Sequence, residues 1–239
     1  MRASCVFTSR RLWVENDLED EIRQLEQRML NVGALVENAI DVAVAALLHA
    51  DAELGEPVIE EDAEIDRLEV GIEQDCLAIL ENHRPRGRDL RFITGVMKIN
   101  SNLERMADLA VNIAEAAVEV AGHRAAPPAL DPEPLSTLSQ HMVREGLTAL
   151  VTRDADLARR VCDMDDEADR LFERLREDAV RMMKENPAQI DGVTSIIGAL
   201  GNLERIADQA TNVAEDVVFM VDGDIIRHRD STSGRGSSV

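Results

Sequence analysis

The chain has 239 residues, 45% of them hydrophobic but 2% aromatic, with no tyrosine and a formal charge of -21 at neutral pH. So little aromatic material argues against a β-sandwich or barrel, while plentiful Ala, Leu, Glu and Arg argue for helices. The surplus of carboxylate repels phosphodiester backbones, which excludes nucleic acid as a partner, and it favours cations or a basic protein surface.

Residues 1–15 read as an N-terminal extension without the apolar core of a signal peptide. No run along the chain approaches the roughly 18 uninterrupted apolar residues of a spanning helix, so no direct membrane insertion is expected. Cys5, Cys76 and Cys162 are too few and too scattered for a Cys-x-x-Cys zinc site or a secreted disulfide framework, which fits a cytoplasmic protein.

Proline breaks helix interiors, so Pro57, Pro85, the group Pro127, Pro128, Pro132 and Pro134, and Pro187 divide the chain into helices. Helices are expected at about 16–50, 58–83 and 88–122, forming a first three-helix bundle over 16–122. A proline-rich linker follows at 123–134. Helices at about 135–152, 154–185 and 189–221 form a second bundle over 135–222, and a Gly/Ser-rich flexible tail closes the chain at 223–239. The predicted fold is all-α: two tandem three-helix bundles, six antiparallel helices in all, related by internal duplication.

The duplication is plain in the third and sixth helices, where "NLERMADLAVNIAE" at 102–115 returns as "NLERIADQATNVAE" at 202–215. Both carry a stripe at 3-4 spacing that reads as core: Val96, Ile99, Leu103, Met106, Ala110 and Ile113, matched by Ile196, Ala199, Leu203, Ile206, Ala210 and Val213. The second helices match as well, "EEDAEIDRLE" at 60–69 with "DMDDEADRLF" at 163–172.

Carboxylates recur at i, i+4 on these helices: Asp62 with Asp66, Glu104 with Asp108, Asp165 with Asp169, and Glu204 with Asp208. Positions 62 and 108 are equidistant from Pro85, as are 66 and 104, and 165 with 208 and 169 with 204 straddle the Asn186–Pro187 turn likewise. Both arms of an antiparallel hairpin rise about 1.5 Å per residue, so Asp62 should face Asp108 and Asp66 should face Glu104, with the same crossing in the second half. Four opposed carboxylates repel unless a cation sits among them, and oxygen-only clusters suit hard cations such as Mg, Mn, Ca or ferric iron. Glu115 and Glu215 extend the stripe, and Asn112 and Asn212 offer amide oxygens. The bland alternative is a solvated acidic face neutralised by Arg105 and Arg205 as ordinary ion pairs. Glu37 and Asp41 also stand at i, i+4, but their repeat counterparts are Gln140 and Arg144, which points to a solvated face.

None of His49, His83, His123, His141 and His228 has Glu three residues before it, which counts against a ferritin-like di-iron centre. There is no P-loop, His-Glu-x-x-His or Gly-x-Ser-x-Gly, so no catalytic residue is assigned and no enzyme is expected. A carboxylate-bridged phosphoesterase acting through two metals remains the competing class.

With its doubled "NLERMAD" and "NLERIAD" beside "DAEID" and "DDEAD", the chain resembles the PhoU family of phosphate transport system regulators over roughly residues 20–222. The resemblance implies two three-helix bundles, each with a multinuclear metal cluster of iron, zinc, manganese or magnesium. Asp62, Asp66, Glu104 and Asp108 would hold the first, and Asp165, Asp169, Glu204 and Asp208 the second. It also implies a negative regulator that contacts the ATPase subunit of the phosphate ABC transporter and a sensor histidine kinase, as a possible homodimer. An accessory protein of phosphate permeases shares the general helical plan.

Overall fold

The computed structural model describes residues 6–122 and 130–226, with side chains from Asp17 onward. Helices follow one another as α1 (Val6–His49), α2 (Ala52–His83), α3 (Arg88–Gly122), α4 (Glu133–Thr152), α5 (Ala155–Cys162), α6 (Asp165–Glu185), a 3-10 turn (Pro187–Gln189) and α7 (Ile190–Asp222). The fold is all-α, and the described residues contain no strand. Residues 1–5, the linker segment 123–129 and the tail segment 227–239 lie outside the described residues.

Several boundaries differ from the sequence expectation for local reasons. The α2 helix begins at Ala52 rather than beyond Pro57, because the Asp51 carboxylate accepts hydrogen bonds from the backbone N–H of Glu53 and Leu54. That cap organises the first turn, and Pro57 then removes a single ladder bond near the helix end. The α1 backbone is helical from Val6, earlier than the start expected at about 16. The helix expected over 154–185 is interrupted between α5 and α6. Met164 N–H donates to the Val161 carbonyl three residues back at 3.0 Å, so the ladder tightens into a 3-10 step there without proline or glycine. Taken as one interrupted helix, α5 and α6 complete the six-helix plan.

Within each half the hairpin is closed by a short turn. Between α2 and α3, Arg84 and Gly87 both adopt left-handed dihedrals (φ 48° and 56°) around the buried Pro85. Between α6 and α7, the Asn186 side chain accepts from the backbone N–H of Ala188.

The two halves share one continuous core. Its spine is α3 against α7, where Ile99, Leu103 and Met106 and their repeat partners Leu203 and Ile206 are at most 1% exposed. Each such side chain contributes about 1.5–3 kcal/mol of burial. Gly95 permits the close approach, since a Cβ there would collide with the side chain of Met220 on α7. Nearby, Lys98 Nζ reaches the buried Asp216 carboxylate at 3.1 Å and lies 5.0 Å from the centre of the Phe219 ring. At the other seam, Gln140 Nε2 and Arg144 Nε on α4 donate to Asp41 and Glu37 on α1 at 2.6 and 2.7 Å. Glu37 and Asp41 are therefore tied to the second half rather than left as a solvated face.

A stretch of α1 within Asp17–His49 is long and apolar enough to cross a membrane by length and composition. Its apolar side, including Leu25, Met29, Val32, Val36 and Ile40, is buried in the shared core, which accounts for that composition.

Candidate metal centre

Each half positions its carboxylates on the two arms of one hairpin. In the first half, the Asp62 carboxyl is pushed up by its own burial and then by the charges of Asp66 and Asp108. Glu104 is raised by burial, then by Asp108, Glu69 and Asp66. These couplings are those of Asp62 facing Asp108 and Asp66 facing Glu104 across the α2–α3 hairpin. One oxygen of Asp62, Oδ1, is buried without a hydrogen-bond partner. A buried carboxylate oxygen without a donor is costly, and a cation is one group that would satisfy it.

In the second half, Asp169, Glu204 and Asp208 converge more tightly, with one ligand oxygen from each lying within 4.8 Å of the others. Burial, then Asp165 and Asp169, push Asp208 up to about 6, against the opposing pull of Arg205. Glu204 is raised by burial and then by Asp208, Asp169 and Asp165. Asp165 sits at the rim of the cluster, where Thr211 Oγ1 donates to its Oδ1 at 3.0 Å. Burial raises Asp165, and that hydrogen bond partly reverses the effect.

Arg105 and Arg205 pull the neighbouring carboxyls down but form no ion pair with them among the described residues. The net effect on Glu104, Glu204 and Asp208 is still an upward shift, so the arginines offset the acid surplus in part. Asn112 turns its amide to its own helix, donating from Nδ2 to the Asp108 carbonyl at 2.7 Å, and Glu115 is exposed. Among the described residues, His83 pairs with Glu21 at 3.2 Å and the His49 ring nitrogen Nδ1 lies 2.8 Å from the Ala45 carbonyl, so both are engaged elsewhere.

Three neighbours escaped the sequence reading. Glu69 interacts with both Glu104 and Asp66, Thr211 holds Asp165, and Cys162 feels the charges of Glu215, Asp163 and Asp165. Each lies three residues from a predicted carboxylate on the same helix or helix junction: 69 after 66, 211 after 208, 162 before 165. The i, i+3 spacing was the available signal. Their repeat counterparts are Phe172, Val111 and Ile59, so the two sites are not chemically identical.

The family profile of the PhoU domain matches the chain twice, over residues 29–117 and 133–217. The chain belongs to the PhoU family. It is 34% identical over 216 residues to a phosphate-specific transport system accessory protein PhoU homolog of Pseudomonas putida, covering 90% of this chain and 84% of the relative. A homolog of the same description from Aquifex aeolicus is 35% identical over 209 residues, with 87% and 95% covered. Among solved structures, PhoU from Pseudomonas aeruginosa superposes with a TM-score of 0.84 at 35% identity, covering 86% of this chain and 99% of that one. The phosphate transport system regulatory protein PhoU from Streptococcus pneumoniae gives 0.80 at 29%, with 87% and 99% covered. Each PhoU match contains one set of four carboxylates, Asp62 to Asp108 in the first and Asp165 to Asp208 in the second.

The donors present suit a hard cation: every group is a carboxylate, three converge, and a buried Asp62 oxygen lacks a donor. Asp62, Asp66, Glu104 and Asp108, with Glu69 adjacent, would hold metal in the first half, and Asp165, Asp169, Glu204 and Asp208 in the second.

Proposed function

We propose that the chain is a metal-binding, non-catalytic regulator acting in the cytoplasm, which restrains phosphate uptake and phosphate-starvation signalling by docking on the ATPase subunit of a phosphate ABC transporter and on its sensor histidine kinase. The observation that carries this reading is the duplicated carboxylate constellation on two PhoU repeats, together with relatives described as phosphate-specific transport system accessory proteins. Bound metal, of iron, zinc, manganese or magnesium, would neutralise the opposed carboxylates and so lock α2 to α3 and α6 to α7.

The chain's own groups favour regulation over turnover. The Cys76 and Cys162 thiols are both pushed up to about 12 by burial and nearby carboxylates, so neither supplies a thiolate nucleophile near neutral pH. Around the metal positions the polar groups bind or orient: Thr211 fixes Asp165, and the remaining carboxylates face one another.

A strain lacking the chain should express phosphate-starvation genes and take up phosphate without restraint in phosphate-rich medium, and the intact chain should restore control. Silent genes and normal uptake in the deletion strain would end the regulatory reading. Turnover of generic phosphoesters by metal-loaded protein, abolished by Asp108→Ala with Asp208→Ala, would favour the phosphoesterase instead.

A further inference from the structure

Away from the carboxylates, at the end of the molecule where α2 turns into α3, the charge reverses. Residues 84–91 contain four arginines and one aspartate in a chain of net charge -21. Arg84, Arg86 and Arg88 are exposed and make no ion pair among the described residues, and the buried Nε of Arg91 has no hydrogen-bond partner. Two acids of this end are engaged elsewhere: Glu26 holds Arg153, and Asp222 holds Arg159 at 2.6 Å. The N-terminus of α3, opening at Arg88, adds the positive end of a 35-residue helix dipole.

Beside these arginines runs an apolar trough between α1, α4 and the α3–α7 spine, formed by adjoining cavities of about 310 and 170 Å³. Phe92 and Leu150 line both cavities, with Val96 and Met220 continuing the floor. Arg88 stands on its wall, and Arg153, paired with Glu26 on the same lining, lies 5.2 Å from the Phe92 ring centre. Leu30 and Val151 form an exposed lip, at 38% and 54% exposure.

We propose that this trough is a docking groove for an acidic amphipathic helix of a partner protein, with apolar anchors seated over Phe92 and Leu150 and acidic flanks on Arg86, Arg88 and Arg91. It rests on the reading of the chain as a docking regulator and says where docking happens. Charge complementarity selects the occupant: the rest of this strongly acidic chain repels an acidic helix, and this end attracts it. The chain's own tail is a poor occupant, since residues 227–239 carry Arg227, Arg229 and Arg235 against the single Asp230. A two-fold pairing with a second copy would set arginine rim against arginine rim. A flat anionic bilayer would leave the concave floor unfilled.

The test uses the full chain and a synthetic amphipathic helix whose leucine stripe is flanked by glutamates, with a lysine-flanked twin as control, followed by fluorescence anisotropy. The glutamate helix should bind with salt-sensitive affinity. Arg86→Glu with Arg88→Glu, and separately Val151→Asp, should weaken it about tenfold or more, while the lysine twin should not bind. These positions are exposed, and circular dichroism verifies that the variants fold. Equal binding of both helices, or binding indifferent to the substitutions, overturns the proposal. So does loss in these variants of flotation with phosphatidylglycerol vesicles, or of self-association in sedimentation, when the glutamate helix never binds. In the deletion strain, a wild-type chain that restores phosphate control beside a fully active Arg86→Glu/Arg88→Glu/Val151→Asp variant sinks the groove but spares the regulatory reading. A wild-type chain that fails to restore control sinks that reading, and helix binding then judges the groove alone.

Discussion

Arg144 on α4 donates from Nε to Oε1 of Glu37 on α1 at 2.7 Å, joining the two halves through positions that the duplication relates. In the repeat, 37 aligns with 140 and 41 with 144, so the Glu37–Arg144 and Asp41–Gln140 contacts are one duplicated pair meeting its own altered copy. The charge difference between copies is what makes the seam attractive. Arg144 is exposed, so Arg144→Ala should cost only about 0.5–1 kcal/mol. A double-mutant cycle with Glu37→Ala, read by thermal unfolding, should show coupling of that size, and additive single effects would remove the contact from the account.

The Lys98–Asp216 pair on the α3–α7 spine should matter more. Asp216 is 2% exposed, and Lys98 supplies an ammonium at 3.1 Å. Lys98→Met keeps the aliphatic stem but withdraws that charge from a buried carboxylate, at a cost of about 1–3 kcal/mol. Urea titration of the two variants side by side decides the ranking. A loss no larger than that of Arg144→Ala would mean that Lys98 is not what sustains the Asp216 carboxylate.

Much of this architecture was legible because helix period and duplication are local signals. The stripe through Val96, Ile99, Leu103 and Met106 is indeed buried, and the carboxylates at 62, 66, 104 and 108 do lie on the facing arms of one hairpin. What escaped were facts about neighbours. Ala107, Ala114 and Ala116 on α3 are buried as well as the stripe, since α7 covers a second side of that helix; a stripe seen in one helix cannot say how many helices cover it. Glu37 and Asp41 read as solvated because their partners lie about a hundred residues away on α4. The step between α5 and α6 carries no proline or glycine to mark it, only a tightened Val161–Met164 hydrogen bond. Glu69 and Thr211 were missed because attention to i, i+4 pairs passed over i, i+3 neighbours.

The raised carboxyls make metal-free stability depend on pH in a definite direction. Asp208 binds its proton up to about 6 in the folded chain against an ordinary 3.8, and Asp62, Glu104, Asp165 and Glu204 are shifted the same way. Between those pH values the folded state holds more protons than the unfolded one, so the contribution of Asp208 is fully present below about 3.8 and lost as pH rises through about 6. Metal-free protein should therefore lose this part of its stability on going from pH 4 to pH 7, and added Mn or Mg should restore it at pH 7. Binding near pH 6 must release protons, which calorimetry in buffers of different ionisation enthalpy detects directly. Absence of proton release would mean that these carboxylates are not the ligands.

The two sites should also differ from one another, because Glu69 beside the first has Phe172 as its counterpart beside the second. The Glu69 carboxyl is pushed up by burial and then by Glu73 and Asp66, and it raises Glu104 in turn, so it belongs to the first cluster's field. Phe172 instead lays its ring against Gly201, 3.6 Å from where a Cβ would stand. Glu69→Ala removes a carboxylate and should weaken metal binding in the first half about tenfold, on the scale seen for residues supporting a metal's ligands. Phe172→Ala removes packing alone and should lower stability while leaving affinity in the second half unchanged. Calorimetric titration of metal-free protein with manganese, using Asp169→Asn with Asp208→Asn to silence the second half, separates the two. If Glu69→Ala leaves the first-half affinity intact, Glu69 is a solvated neighbour, and the chemical inequality of the halves rests on Thr211 and Cys162.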